Sequence, residues 1–158
     1  MEFKFHETYK EIGAAMEDNL TKYIHEYFDK LVEIYGFKIN AELNEGNSYM
    51  LEYISKDFAI KIDKYYREFY LTVYSTNEPD IKINLFNLLE YINCGKLIIP
   101  KSKFFSGEKT LEECYKKQFE YLYSVLIENY FEINYFFKTD KYKSNIAKLK
   151  QYWKDKYG

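Results

Sequence analysis

His25 and Asp29 stand four residues apart, and Glu33 follows four later, so on a helix the side chains lie on one face. An imidazole with carboxylates at that spacing could supply part of a metal site, with a further ligand coming from elsewhere in the chain. The same spacing is also what a solvated helix face presents. His6-Glu7, near the N-terminus, adds nothing to either reading. With only these two histidines, a histidine-rich zinc centre is excluded. Cys114 falls in the first turn of a helix, a position that suits a nucleophilic cysteine, but nothing in sequence brings His25 or His6 beside it. Glu112 and Glu113 are adjacent, so on a helix they point apart; they favour its N-terminus and need no catalytic role. The six glycines are too scattered for a phosphate-binding loop, a dinucleotide fingerprint or a nucleophile elbow. The reading is therefore no catalytic residue, no metal and no cofactor.

The 158 residues suit one α+β domain spanning 1–158, with enough chain for a core that needs no staples. Hydrophobic residues at 47% and charged ones at 30% exclude a disordered chain. Two cysteines exclude a disulfide scaffold and a four-cysteine zinc site, and Cys94 and Cys114 read as reduced thiols in or near a core. A net charge of −2 gives no basic field to recruit nucleic acid, and Arg67 is the only arginine, which argues against a dedicated phosphate or base reader. Lys138 to Gly158 nevertheless carries +5, leaving −7 on the rest. That basic helix could touch an acidic membrane surface, nucleic acid or an acidic partner, or simply dock its apolar stripe and leave its lysines in water. The tyrosines, 19 of them, reflect either an AT-rich coding sequence or a binding surface, where tyrosine is favoured. No signal peptide and no 18-residue uncharged run is visible, so the expected setting is cytoplasmic with no membrane span.

These side chains need elements to hold them. Ile12, Met16, Leu20, Ile24, Phe28, Leu31 and Tyr35 recur at helical spacing and predict a helix from about Glu7 to Tyr35, closed by Gly36. Strict alternation then predicts strands at Phe37–Asn44, Tyr49–Ser55, Phe58–Asp63 and Phe69–Tyr74, with a turn at Glu45-Gly46-Asn47. The short turns make them an antiparallel meander, ended by Asn77-Glu78-Pro79-Asp80. Helices follow at about Asn84–Asn93, from a Thr110–Glu113 capping box to Phe136, and at about Asp140–Lys156. Leu97-Ile98-Ile99 reads as a short strand or as a loop packed on the core. The expected fold is a four-stranded meander packed on one face by the N-terminal helix and the three later ones. Phe37, Ile39, Leu51, Ile60, Ile62, Phe69, Leu71 and Val73 would face the helices.

By the two-residue period, Lys38, Asn40, Glu42, Met50, Glu52, Ile54, Lys61, Asp63, Tyr70, Thr72 and Tyr74 share the other face. Aliphatic and aromatic anchors among charges are what a protein interface presents, although another element could equally cover them. The partner-binding candidates are Met50, Glu52, Ile54, Lys61, Tyr70 and Tyr74.

The segment Phe28-Asp29-Lys30-Leu31-Val32-Glu33-Ile34-Tyr35-Gly36-Phe37-Lys38 ends a helix in a Tyr-Gly-Phe step that leads into the meander. With the next two strands, over roughly Leu20 to Val73, it resembles small bacterial immunity proteins of polymorphic toxins. The resemblance implies a protein that binds a cognate toxin and blocks it without catalysis; it fixes no functional residue. The leading expectation is thus a non-catalytic protein-binding module whose partner is a protein, with no nucleic acid. The alternative is a small-ligand-binding or enzymatic domain with a pocket between sheet and helices.

Overall fold

The computed structural model describes residues 19–45 and 48–158. The expected start of the first helix, with Ile12 and Met16, His6-Glu7, and the Gly46-Asn47 turn lie outside the described residues.

Leu20, Ile24, Phe28 and Leu31 form one stripe at spacings of four, four and three, and all are buried. They define α1, helical over 19–28, and α2 (Lys30–Tyr35), separated by a turn at Asp29. Gly36 ends α2 in the left-handed region at φ +74°, where a Cβ would be strained, and the Phe37 N–H reaches back to the Leu31 carbonyl at 3.1 Å. Phe37 is thereby delivered into the core.

The chain then runs through β1 (Lys38–Glu45), β2 (Ser48–Ile54), β3 (Phe58–Tyr65), β4 (Glu68–Ser75) and β5 (Glu78–Asn84). They form one antiparallel sheet in sequence order, an α+β meander of five strands where the sequence pattern predicts four. The added strand contains Pro79, which the sequence reading takes as a terminator. Proline has no N–H to give a ladder and is confined to edges, and β5 is an edge strand.

Alternation places the central strands correctly: Leu51, Tyr53, Ile60, Ile62, Phe69, Leu71 and Val73 are all buried on the helix side. It fails at β1. Ile39 is opposite Tyr53, but Ala41 is opposite Glu52, so two residues of β1 span one of β2. This bulge inverts the parity beyond it. Glu42, expected on the open face, pairs with Leu51 and joins the helix side; Leu43 pairs with Met50 and joins the open face. Ile39, expected in the core, is 46% exposed.

After β5 come α3 (Leu85–Ile92), α4 (Leu111–Glu128), α5 (Tyr130–Phe137) and α6 (Tyr142–Tyr157). Asn84 caps α3 through the Phe86 N–H at 2.9 Å, and Thr110 caps α4 through the Glu113 N–H at 3.1 Å. The single long helix expected up to Phe136 is two helices. Asn129, at φ −110° and ψ 11°, leaves helical geometry, and its side-chain amide donates to the Val125 carbonyl at 2.8 Å. Leu97 and Ile98 form neither a strand nor a core-packed loop; both side chains are exposed. Every described helix and β2 to β5 contribute to one core cluster, within which Phe58 stacks on Phe137 at 5.3 Å and Phe69 meets Phe119 edge-on at 4.6 Å.

Candidate functional site

The strand register fixes which side chains stand together on the face away from the helices. Met50, Asp63 and Tyr70 form one row across β2, β3 and β4; Glu52, Lys61 and Thr72 form the next; Ile54, Ala59 and Tyr74 form the third. The six partner-binding candidates, Met50, Glu52, Ile54, Lys61, Tyr70 and Tyr74, are therefore brought onto one face. The β1 bulge adds Leu43, 42% exposed beside Met50, which strict alternation had turned inward.

These side chains are knit to each other. Tyr74 donates its hydroxyl to Glu52, which also accepts from Asn40 at 2.5 Å. The Lys82 ammonium lies 4.9 Å over the Tyr74 ring. Burial, followed by the bond to Glu52, raises the Tyr74 pKa, so the phenol stays a donor. Lys61 and Asp63 form a 3.8 Å ion pair. Burial raises the Asp63 pKa, and Lys61 opposes that shift. Tyr70 donates to Glu68 and packs against Phe104 at 5.6 Å. In the middle row, the Thr72 hydroxyl oxygen is shielded from water without a hydrogen-bond partner. Tyr74 is only 5% exposed, so Met50, Ile54, Leu43 and Tyr70 offer the apolar contact area and Tyr74 supports them from beneath.

His25, singled out with Asp29 in sequence, lies on the opposite side of the sheet. Its Nδ1 meets Asp29 at 2.8 Å and its Nε2 meets Glu42 at 2.7 Å. Each of those carboxylate oxygens accepts a second proton donor: the Tyr53 hydroxyl at 2.7 Å on Asp29 and the Tyr49 hydroxyl at 2.5 Å on Glu42. Burial lowers the His25 pKa, but the two carboxylates outweigh it and the net shift is upward. Tyr53 and Tyr49 are pushed well above 10, by burial first and by their carboxylates second. Both imidazole nitrogens are committed to carboxylates, leaving none for a cation, and Glu33 is outside the chain of bonds. Among the described residues no cluster of three His, Cys, Asp or Glu side chains forms a metal-binding group. The arrangement ties α1 to β1 and β2.

A cleft of about 1000 Å³ opens at the end of the sheet, between the β3–β4 turn and the segment leading into α4. Cys114 lies in its wall, 7% exposed, with its Sγ 3.1 Å from the Phe104 carbonyl and 3.3 Å from the Gln118 amide nitrogen. Neither neighbour is a base, so these contacts give the thiol no partner for nucleophilic chemistry. Gln118 is the important residue that the sequence reading did not single out. Fully buried, it accepts from the Phe69 N–H at 3.0 Å and donates to the Arg67 carbonyl at 2.9 Å. The available signal was its position: four residues after Cys114 and four before Leu122, an amide falls within the apolar stripe of α4.

No family model, curated protein or solved structure matches the chain. Among the described residues no helix is long and apolar enough to cross a membrane.

Proposed function

We propose that this protein is a non-catalytic protein-binding module of the immunity or inhibitor kind, acting in the cytoplasm by occupying a partner protein through its open sheet face. The observation that carries the reading is the composition of that face. Met50, Ile54, Leu43 and Tyr70 supply partly exposed apolar area around a core of paired charges, Glu52, Lys61 and Asp63. Interfaces concentrate their energy in a few such anchors, while the charges set orientation and association rate. The hydrogen bonds among Tyr74, Glu52 and Asn40 preorganise the face, which reduces the ordering cost of binding. The resemblance of the Leu20–Val73 segment to toxin-immunity proteins supports a toxin as the partner.

The test is affinity capture from the native host, identification of the partner, and titration with variants. The Tyr70→Ala, Tyr74→Ala double variant should weaken binding by about 2 kcal/mol or more. Met50→Asp, on a partly exposed side chain, should do the same with the fold unchanged by circular dichroism. Unchanged affinity in the folded Met50→Asp protein would refute the face. The cleft beside Cys114 and Arg67 favours a second reading, a small-ligand site.

A further inference from the structure

The two jaws of that cleft carry the same chemistry. The β3–β4 turn lines it with Lys64-Tyr65-Tyr66-Arg67, and the facing loop lines it with Phe104 and Lys109, while Lys103 and Phe105 of that loop pack on the Tyr121 ring. Each jaw thus brings an aromatic ring and a cation to the cleft. Tyr65 and Tyr66 pack edge-on at 4.6 Å and are 63% and 77% exposed, so the lip of the cleft is aromatic surface left in water.

The cations are available. Glu108 is engaged by Lys117 at 2.6 Å, and Glu68 accepts from Tyr70. Lys64 lies 5.6 Å over the Tyr115 ring. Among the described residues neither Arg67 nor Lys109 forms an ion pair. Among the charged groups lining the cleft, Lys64, Arg67 and Lys109 stand against Glu68 and Glu108, and Glu108 is paired with Lys117.

The jaws are also held in place. Gln118 bonds the Arg67 main chain, and Cys114 bonds the Phe104 carbonyl. Tyr66 and Phe105, one in each jaw, both sit at φ +56°, a region that aromatic residues rarely occupy. At about 1000 Å³ the cleft is at the upper end of small-molecule sites.

We propose that this cleft binds a nucleotide, its phosphate held between Arg67 and Lys109 and its base stacked on the Tyr65–Tyr66 lip. The guanidinium fork matches phosphate geometry, and ring stacking accepts any base. The inference goes beyond the partner-binding reading, because it uses other residues at the end of the sheet; Met50→Asp leaves it intact whichever way the partner test falls.

Calorimetric titration of the full chain with AMP, adenosine, inorganic phosphate and a short oligothymidine tests it. AMP should bind, with adenosine and phosphate each weaker by about tenfold or more, and added salt should weaken AMP. Arg67→Ala, and separately Tyr65→Ala with Tyr66→Ala, should each lose about tenfold in AMP affinity. These side chains are exposed, and Gln118 holds only the backbone of Arg67, so the variants keep the fold; Lys109→Ala gives an independent check from the other jaw. No AMP binding at millimolar concentration, or equal AMP affinity in all variants, overturns the proposal. Binding of the oligothymidine far more tightly than AMP also overturns it, and would instead make the cleft a single-strand groove.

Discussion

Gln118→Leu is the most discriminating perturbation of this fold. The pairing of β4 with β5 begins at Thr72, opposite Asn84 at the end of β5, so the start of β4 has no strand on that side. Gln118 stands in for it, taking the Phe69 N–H and giving to the Arg67 carbonyl. Leucine has nearly the same volume, so it leaves little cavity and removes the bonds to Phe69 and Arg67 together with the weaker amide contact to the Cys114 Sγ at 3.3 Å. The Phe69 N–H then remains buried and unsatisfied, which costs about 1–3 kcal/mol, and the less buried carbonyl adds about 1 kcal/mol. The expected loss is about 2–4 kcal/mol, a fall in Tm of roughly 5–15 °C for a domain of this size. Urea unfolding followed by circular dichroism measures the loss, and amide hydrogen exchange at Phe69 shows whether it arises at that bond. A loss below about 1 kcal/mol with the Phe69 amide still protected would refute the reasoning, because it would mean that water or another group replaces the side chain.

His25 supplies a pH dependence of definite sign. Its pKa is raised above 6.5 in the fold, so its stabilisation is complete below about 6.5 and disappears as pH rises through the higher folded value. The urea midpoint should fall as pH rises above about 6.5, and His25→Gln should flatten that change; an unaltered slope in the variant would assign it to another group. Leu71→Ala, at a fully packed position on β4, should cost about 2–5 kcal/mol in the same assay, and a loss under about 1 kcal/mol would remove Leu71 from the core.

The parts legible in sequence are those governed by local periodicity. Leu51, Ile60, Ile62, Phe69, Leu71 and Val73 alternate without interruption and are buried where alternation puts them. Leu20, Ile24, Phe28 and Leu31 do the same at helical spacing, and Gly36 and Thr110 mark ends that their backbone chemistry requires. The errors come where pairing, which is non-local, decides. The bulge at Asn40-Ala41 exists only relative to Glu52, so nothing in β1 itself announces that Glu42 turns inward and Leu43 outward. β5 was hidden by Pro79, whose meaning differs between an edge and a centre that the sequence does not distinguish. The candidate face was legible because β2, β3 and β4 keep their period. The cleft was not, since its walls join through contacts such as Phe69 with Gln118, 49 residues apart.

The two irregularities of the sheet are mended in the same way, and that connects stability to both surfaces. Where the bulge turns Glu42 to the helix side, its partly exposed carboxylate is met by His25 and Tyr49. Where β4 lacks a strand, Gln118 meets the free main chain. Each repair fixes something on the outside. The bulge that His25 secures is what sets Leu43 beside Met50 on the open face. The amide that satisfies Phe69 also holds the carbonyl of Arg67, and so the base of the turn that carries Tyr65 and Tyr66. Changes at His25 and Gln118 should therefore loosen distant surfaces without touching them. The two differ in kind: the histidine contact weakens with rising pH, whereas the amide has no charge to lose, so the lip of the cleft should keep its shape across a pH range in which the β1 seam softens.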